Sequence, residues 1–433
     1  MKAKSTIFSK NLLECRAGFE YNMKVSFMSS PIKIIDTTLR DGLQSPLWDD
    51  FGKYYPSTSD KCEVVKALAK YGVDYIEIFS PSVSRREADD LKAILETRDE
   101  ISRELGKPIH ILTHVRCHPR DIEEALKYKI DGLNFYMGTS EISRKSNHGK
   151  TLREIVKMVR PLLSDIKKNY PHLLMRFSGE DAFRTKIADL FFVFDSVADI
   201  VDRLGIPDTV GVATPREVAA RIKLIKKRYP NVPLEGHFHN DRGLSLINAL
   251  TAVESGMEYL NTAVLGLAER SGITSLTSFI FNLYLINPKL VKDYDISLSY
   301  PLNVLVADIL DAHVPATEPV SLSNRTHSAG VHTQAVKKDA SVYEAHSLAR
   351  FGVTEQRLLL GPLSGKHIIH YYLSEVLNYS GITEQIAENI TTIFKDRSEE
   401  ITKNKTPKIL LDEIATGARL PRIDKPTVHL ENI

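Results

Sequence analysis

Cysteine is scarce: the 433 residues hold only Cys15, Cys62 and Cys117, with no Cys-x-x-Cys pair. The chain therefore has no disulfide framework to build on, and the pattern fits a reducing cytoplasm. Charge of one sign is also lacking. Lysine and arginine number 57 against 55 acids, a formal net charge of +2, and no polybasic segment stands out. Nucleic acid and membrane surface are thus not implied as partners. No apolar run approaches the roughly 18–20 residues of a membrane span. Residues 1–30 lack an apolar signal core and a cleavage site, and are read as an N-terminal extension, with Met23 and Met28 as alternative starts.

What the chain does have is alternation. From residue 32 to about 285, short apolar runs exchange with longer amphipathic ones, as in repeated strand-helix units around a parallel sheet. The runs 32–36, 75–80, 109–114, 132–137, 173–178, 208–213, 234–239 and 259–265 predict eight strands. Helix-like stretches at 61–71, 151–168, 218–228 and 244–255 lie between them. Eight units in about 250 residues predict an α/β fold, a (β/α)8 TIM barrel, with a doubly wound open sheet as the alternative. A catalytic barrel over 31–287 is expected, followed by a smaller, mainly helical region over 288–433. In that region helices are expected at 302–310, 368–377 and 382–394, with a charged tail ending near Lys405.

The stretch Glu235-Gly-His237-Phe-His239 reads as the end of a buried strand. Alternate side chains of a strand point the same way, so both imidazoles converge on one point, as a divalent metal requires. A pair of core histidines is the plain alternative. Far upstream, the apolar run Ile34–Asp36 leads into Arg40 and Asp41, a cation and a hard oxygen ligand, just before Gly42. Together the two features suggest a metal held between the first and a late strand. Other polar residues also fall on or near expected strand ends, where barrel chemistry is built: His114 with Arg116, Arg176 with Ser178 and Glu180, and Thr209.

These residues resemble the DRE-TIM metallolyase family, and within it the acetyl-CoA-dependent condensing synthases, with the homocitrate synthases as the nearest likeness. The motifs that carry the resemblance are Asp36–Gly42, His237-x-His239, Val264–Gly272, Ser146–Lys150, Arg176–Arg184, Asp208–Gly211 and Thr326–His332 with Tyr343. The resemblance implies condensation of acetyl-CoA with a 2-oxo acid and a divalent metal, Zn²⁺ or Mn²⁺, on Asp41, His237 and His239. Arg40 would stabilise the developing alkoxide. Gln44, His114, Arg176, Ser178, Glu180 and Thr209 would bind the oxo acid, and Glu235, His332 and Tyr343 together would remove the methyl proton. It further implies a homodimer in which the C-terminal region reaches over the partner's barrel.

Several positions qualify these expectations. Leu43 stands where the synthases usually carry Glu and the hydroxymethylglutaryl-CoA lyases carry Leu, which leaves the oxo acid open between 2-oxoglutarate and the substrates of isopropylmalate, citramalate or Re-type citrate synthesis. A carbon–carbon lyase is the second class, against which the segment 266–272 lacks the lyases' cysteine. A non-catalytic metal or oxo-acid binder is the third. The segment 48–57 is longer than usual for the family. Glu180 and Arg184 could form an ion pair instead of touching substrate, and Cys117 reads as a small core residue.

Overall fold

The computed structural model describes residues 32–48, 55–328, 335–336, 339–344 and 346–423. Its eight parallel strands pair in chain order: β1 (Lys33–Asp36), β2 (Tyr75–Phe79), β3 (His110–Arg116), β4 (Gly132–Gly138), β5 (Leu174–Glu180), β6 (Arg203–Asp208), β7 (Leu234–Phe238) and β8 (Tyr259–Thr262). The sheet closes where Lys33 of β1 pairs with Tyr259 of β8 and Asp36 with Thr262. That closure establishes the (β/α)8 barrel and disposes of the open sheet. Around it lie α1 (Thr58–Tyr71), α2 (Arg85–Leu105), α3 (Pro119–Ala125), α4 (Leu152–Asn169), α5 (Ile187–Phe194), α6 (Pro215–Arg228), α7 (Ser245–Glu254) and α8 (Leu276–Ile286). No helix among the described residues is long and apolar enough to cross a membrane.

Local chemistry fixes the helix ends. Thr214 caps α6 by accepting from the Glu217 amide, and the Glu217 carboxylate returns to the Thr214 amide, with Pro215 at the first helical position. Lys226, Lys227 and Arg228 occupy the last turn, where the helix dipole favours cations. Val218, Ile222 and Ile225 form the buried face, spaced to meet the barrel on one side.

The sixth strand departs from expectation. It spans Arg203–Asp208, whereas 208–213 forms a turn in which the Asp208 carboxylate accepts from the Val212 and Ala213 amides at 3.0 Å. Gly211 takes φ +59° there, a left-handed conformation open to glycine at little cost. After the barrel comes α9 (Ser299–Ile309), whose Leu302 and Val306 join the barrel's apolar core, so packing runs past residue 287. A parallel pair, β9 (Thr326–His327) with β10 (Arg357–Leu358), leads to α10 (Lys366–Tyr371), α11 (Glu384–Asp396) and α12 (Pro407–Gly417). These last helices bury a separate core around Ile369, Leu373, Phe394 and Leu410. α12 begins where a charged tail was expected to be ending, and its apolar residues Leu410, Leu411 and Ile414 face that core.

Candidate active site

The centre of the barrel is charged rather than aliphatic. Glu77 on β2 accepts from Arg40 Nε at 2.7 Å and Arg176 Nη2 at 2.8 Å, and also from Asn134. Glu235 on β7 accepts from Arg203 Nε at 2.9 Å and from Asn261 Nδ2 at 3.1 Å, and lies 3.3 Å from Arg176 Nε. Burial opposes ionisation of Glu77, but Arg40, Arg176 and His114 outweigh it and hold the carboxyl well below the usual range. Three buried arginines, Arg40, Arg176 and Arg203, thus face three buried carboxylates, Asp41, Glu77 and Glu235. The network is neutral by itself, as burial at this depth demands.

Above it opens a cavity of about 500 Å³ at the carboxyl ends of the strands. Arg40 and Asp41 enter it from the turn after β1, and Gln44 from the exposed rim beyond. His114 comes from β3, and Arg176, Ser178 and Glu180 from β5. Thr209 follows β6, and His237 and His239 stand at the end of β7. Ser178 Oγ accepts from Arg176 Nη1 at 2.7 Å. Thr209 Oγ1 accepts from the Asp181 amide at 2.9 Å, at a residue with φ +62°. His114 stacks on Tyr136 with centroids 4.4 Å apart; burial and the neighbouring Arg40 push its pKa down to about 4, so the ring is neutral. Arg184 pairs with Asp181 and not with Glu180. Glu180 faces the cavity with its carboxyl pKa raised by burial and by Asp181.

Asp41, His237 and His239 bring ligand atoms within 4.8 Å of one another, all three buried. Asp41 Oδ2 lies 3.0 Å from His237 Nε2 and 3.7 Å from His239 Nε2, and the two Nε2 atoms are 3.1 Å apart. The hydrogen-bond network sets the tautomer. Asn261 gives its amide hydrogens to Glu235, so its oxygen accepts from His237 Nδ1 at 3.2 Å, and His237 Nε2 presents a lone pair. That lone pair and the hydrogen-bond-orphaned Asp41 Oδ2 point at each other, an arrangement that repels until a cation stands between them. Burial pushes the pKa of His239 down to about 3, which keeps this second imidazole neutral as a ligand must be. The donor set fits a divalent metal with open positions for substrate.

Two expected residues fall elsewhere, and a third is not among the described residues. Glu235 is not among the cavity's lining residues, being engaged by Arg203, Arg176 and Asn261. Tyr343, 43% exposed, is also absent from the lining, and His332 lies outside the described residues. Leu43 is buried in the barrel's apolar core instead of facing the cavity, so it does not touch the oxo acid whose identity it left open. Sequence reasoning missed Glu77, Asn134, Arg203 and Asn261. Glu77 carried a usable signal: a lone carboxylate inside Tyr-Ile-Glu-Ile-Phe must be paired when that strand is buried.

Such a barrel, with an Asp-His-His set beside an arginine at its mouth, defines a class of metal-dependent barrel enzymes. The HMGL-like family profile matches residues 31–300, and a homocitrate synthase post-HMGL domain-like profile matches 320–401. The chain belongs to the HMGL-like family, in its branch of acetyl-CoA-dependent condensing synthases, and is homocitrate synthase-like. It is 32% identical over 413 residues to the cytosolic homocitrate synthase isozyme of Saccharomyces cerevisiae, covering 93% of this chain and 92% of that one. Identity to the mitochondrial homocitrate synthase of Schizosaccharomyces pombe is 34%, over 84% and 83% of the two chains. Identity to the 2-isopropylmalate synthase of Bacillus pumilus is 30%, over 88% and 73%. Among solved structures, the HMG-CoA lyase of Bacillus subtilis matches with a TM-score of 0.53 at 22% identity, over 65% of this chain and 94% of that one, a likeness of fold alone.

Proposed function

We propose that this chain condenses acetyl-CoA with 2-oxoglutarate to give homocitrate. The observation that carries the choice of oxo acid is the polar lining beyond the metal set. A second carboxylate there has Arg176, Ser178, Thr209 and His114 to meet, beside the apolar Phe79, Val83 and Pro207 of the same lining, and those four polar groups favour a dicarboxylic acid over the branched one. Asp41, His237 and His239 hold the metal, Zn²⁺ or Mn²⁺, which when bound supplies Lewis acidity to the keto group. Arg40, pinned by Glu77 with Nη1 3.3 Å from Asp41, stabilises the alkoxide that develops on the keto oxygen. Glu180 shapes the far wall of the cavity, and Gln44 its rim. Glu235 acts as a positioning residue, since it orients Asn261 and through it His237. Removal of the methyl proton falls to Tyr343 and His332.

Neither Tyr343 nor its neighbour Val342 lines the cavity of its own chain, and both are exposed. This supports a homodimer in which residues 288–433 complete the partner's site. The scarcity of cysteine supports a cytoplasmic location, although relatives include both cytosolic and mitochondrial isozymes.

The test is thiol release from acetyl-CoA across 2-oxoglutarate, 2-oxoisovalerate, pyruvate and oxaloacetate with Zn²⁺ or Mn²⁺ present, read beside bound metal per chain. Turnover with 2-oxoglutarate is expected, and His237→Ala and Asp41→Asn should lose both metal and turnover. Thiol release with 2-oxoisovalerate alone would assign the isopropylmalate reaction, and none with any acid would refute condensation.

A further inference from the structure

The turn that carries Tyr343 has no apolar anchor. Asp339 Oδ1 accepts from the Ser341 amide at 2.9 Å, and the Tyr343 amide donates to the Ala340 carbonyl at 3.2 Å, which folds residues 339–343 tightly on themselves. None of Ala340, Ser341 and Val342 is buried, and Val342 and Tyr343 are 55% and 43% exposed. Packing of these side chains therefore does not set where the tyrosine stands.

The next residue behaves differently. The Glu344 side chain is only 6% exposed, and its carboxylate is taken up by three groups on or next to the β9–β10 pair. Oε2 accepts from Arg325 Nε at 3.1 Å, while Oε1 accepts from Gln356 Nε2 at 2.6 Å and lies 3.3 Å from His327 Nε2. His327 belongs to β9 and sits in register with Leu358 of β10, just after Gln356 in the chain. Arg325 also donates through Nη1 to the carbonyls of Val353 and Thr354, at 2.7 and 3.1 Å, which joins the carboxylate to a further strip of backbone. Burial opposes ionisation of Glu344, but Gln356, His327 and Arg325 outweigh it and hold the carboxyl below its usual range. The carboxylate cannot shift without leaving the half-hidden Arg325 unpaired, and this ties the neighbouring Tyr343 to the strand pair. None of these four residues lines the central cavity, so none can act on substrate there within its own chain.

We propose that Glu344 is a positioning residue for the condensation: its carboxylate, held by Arg325, His327 and Gln356, fixes the turn 339–343 and so presents Tyr343 to the partner's site. The inference rests on the assignment of Tyr343 above, so its test separates the two.

Glu344→Gln keeps the shape of the side chain and removes its charge. In the full chain it should lower kcat by about tenfold or more, as displacement of a reacting group does. The KM for the oxo acid and the metal bound per chain should stay at wild type, because both depend on the barrel. Tyr343→Phe alone should lower kcat further. Combined with Tyr343→Phe, Glu344→Gln should add no further loss, since a residue that works through the tyrosine then has nothing left to position, whereas a merely structural role would multiply the two losses. Hydrogen exchange gives a readout that needs no turnover. Amides of residues 340–344 should exchange about tenfold faster in Glu344→Gln while those of the barrel strands keep their rates. Should Glu344→Gln lose the fold, Gln356→Leu, which removes one bond and no charge, carries the same test with a smaller fall in kcat. Wild-type kcat in Glu344→Gln beside a loss in Tyr343→Phe would overturn the inference and leave the assignment of Tyr343 standing. Multiplied losses in the combined variant, or unchanged exchange at 340–344, would also overturn it. Wild-type kcat in Tyr343→Phe would overturn both.

Discussion

Glu77 accepts from Arg40, Arg176 and Asn134 inside the barrel and lies 3.6 Å from His114. Replacing it with Gln leaves two buried guanidinium groups facing a neutral amide, and removal of one partner from such a network costs about 3–5 kcal/mol. Glu77→Gln is therefore expected to lower the urea midpoint markedly and to cut kcat, because Arg40 loses the carboxylate that aims it. His114 gives a separate handle through pH. Its folded pKa of about 4 lies below the ordinary 6.5, so the unfolded chain binds this proton first on acidification. The stabilisation from a neutral His114 is complete above pH 6.5 and drains away as pH falls toward 4, by roughly 3 kcal/mol in all. Unfolding measured across that window should show a shallower acid loss in His114→Gln than in wild type, and equal slopes would contradict the assignment. The sequence displayed His237, His239, Asp41 and Arg40 because they break apolar runs at strand ends. It concealed the second layer, since nothing in Asn261 or Asn134 announces that each bridges to a carboxylate on another strand.

At the level of elements, seven strands were legible as apolar runs between turn residues, and β6 was not. Arg203-Leu-Gly-Ile-Pro-Asp208 carries charges at both ends, a Gly and a Pro, so it reads as a connection, while the smoother 208–213 reads as a strand. Closure of the barrel overrides local preference here, because every strand must find two neighbours and Pro207 still takes register opposite His237. The shift hid Arg203, and with it the reason Glu235 is unavailable to the cavity. Gly205 in the same strand has a purpose that only the structure reveals. A Cβ there would fall 1.9 Å from Ser178 Oγ and 3.0 Å from Arg176 Cδ, so no other residue lets both side chains hold their place. Gly205→Ala should destabilise the chain by about 1–3 kcal/mol by overpacking. It should also raise the KM for the oxo acid more than that for acetyl-CoA, and an unchanged ratio of the two would show that Ser178 and Arg176 do not bind the acid.

The whole molecule divides its chemistry between a barrel with its own core and a C-terminal helical unit with another. The barrel supplies Arg40, Asp41, His237 and His239, yet the exposed Tyr343 belongs to the region after it and stands apart from the cavity of its own chain. If that region completes the partner's site, two differently damaged chains can repair each other. His237→Ala removes a metal ligand from its own barrel but leaves its Tyr343 intact, whereas Tyr343→Phe leaves the barrel whole. Each variant alone should be nearly inactive. Co-expressed in equal amounts, half of the dimers are mixed, and in each of those one site combines the intact barrel with the intact tyrosine, so about a quarter of wild-type activity should return. A matched pair of variants within the barrel, His237→Ala with Arg40→Ala, should return none, because no exchange of C-terminal regions can assemble a complete barrel from them. Recovery in neither mixture would place Tyr343 over its own barrel, or outside the chemistry altogether.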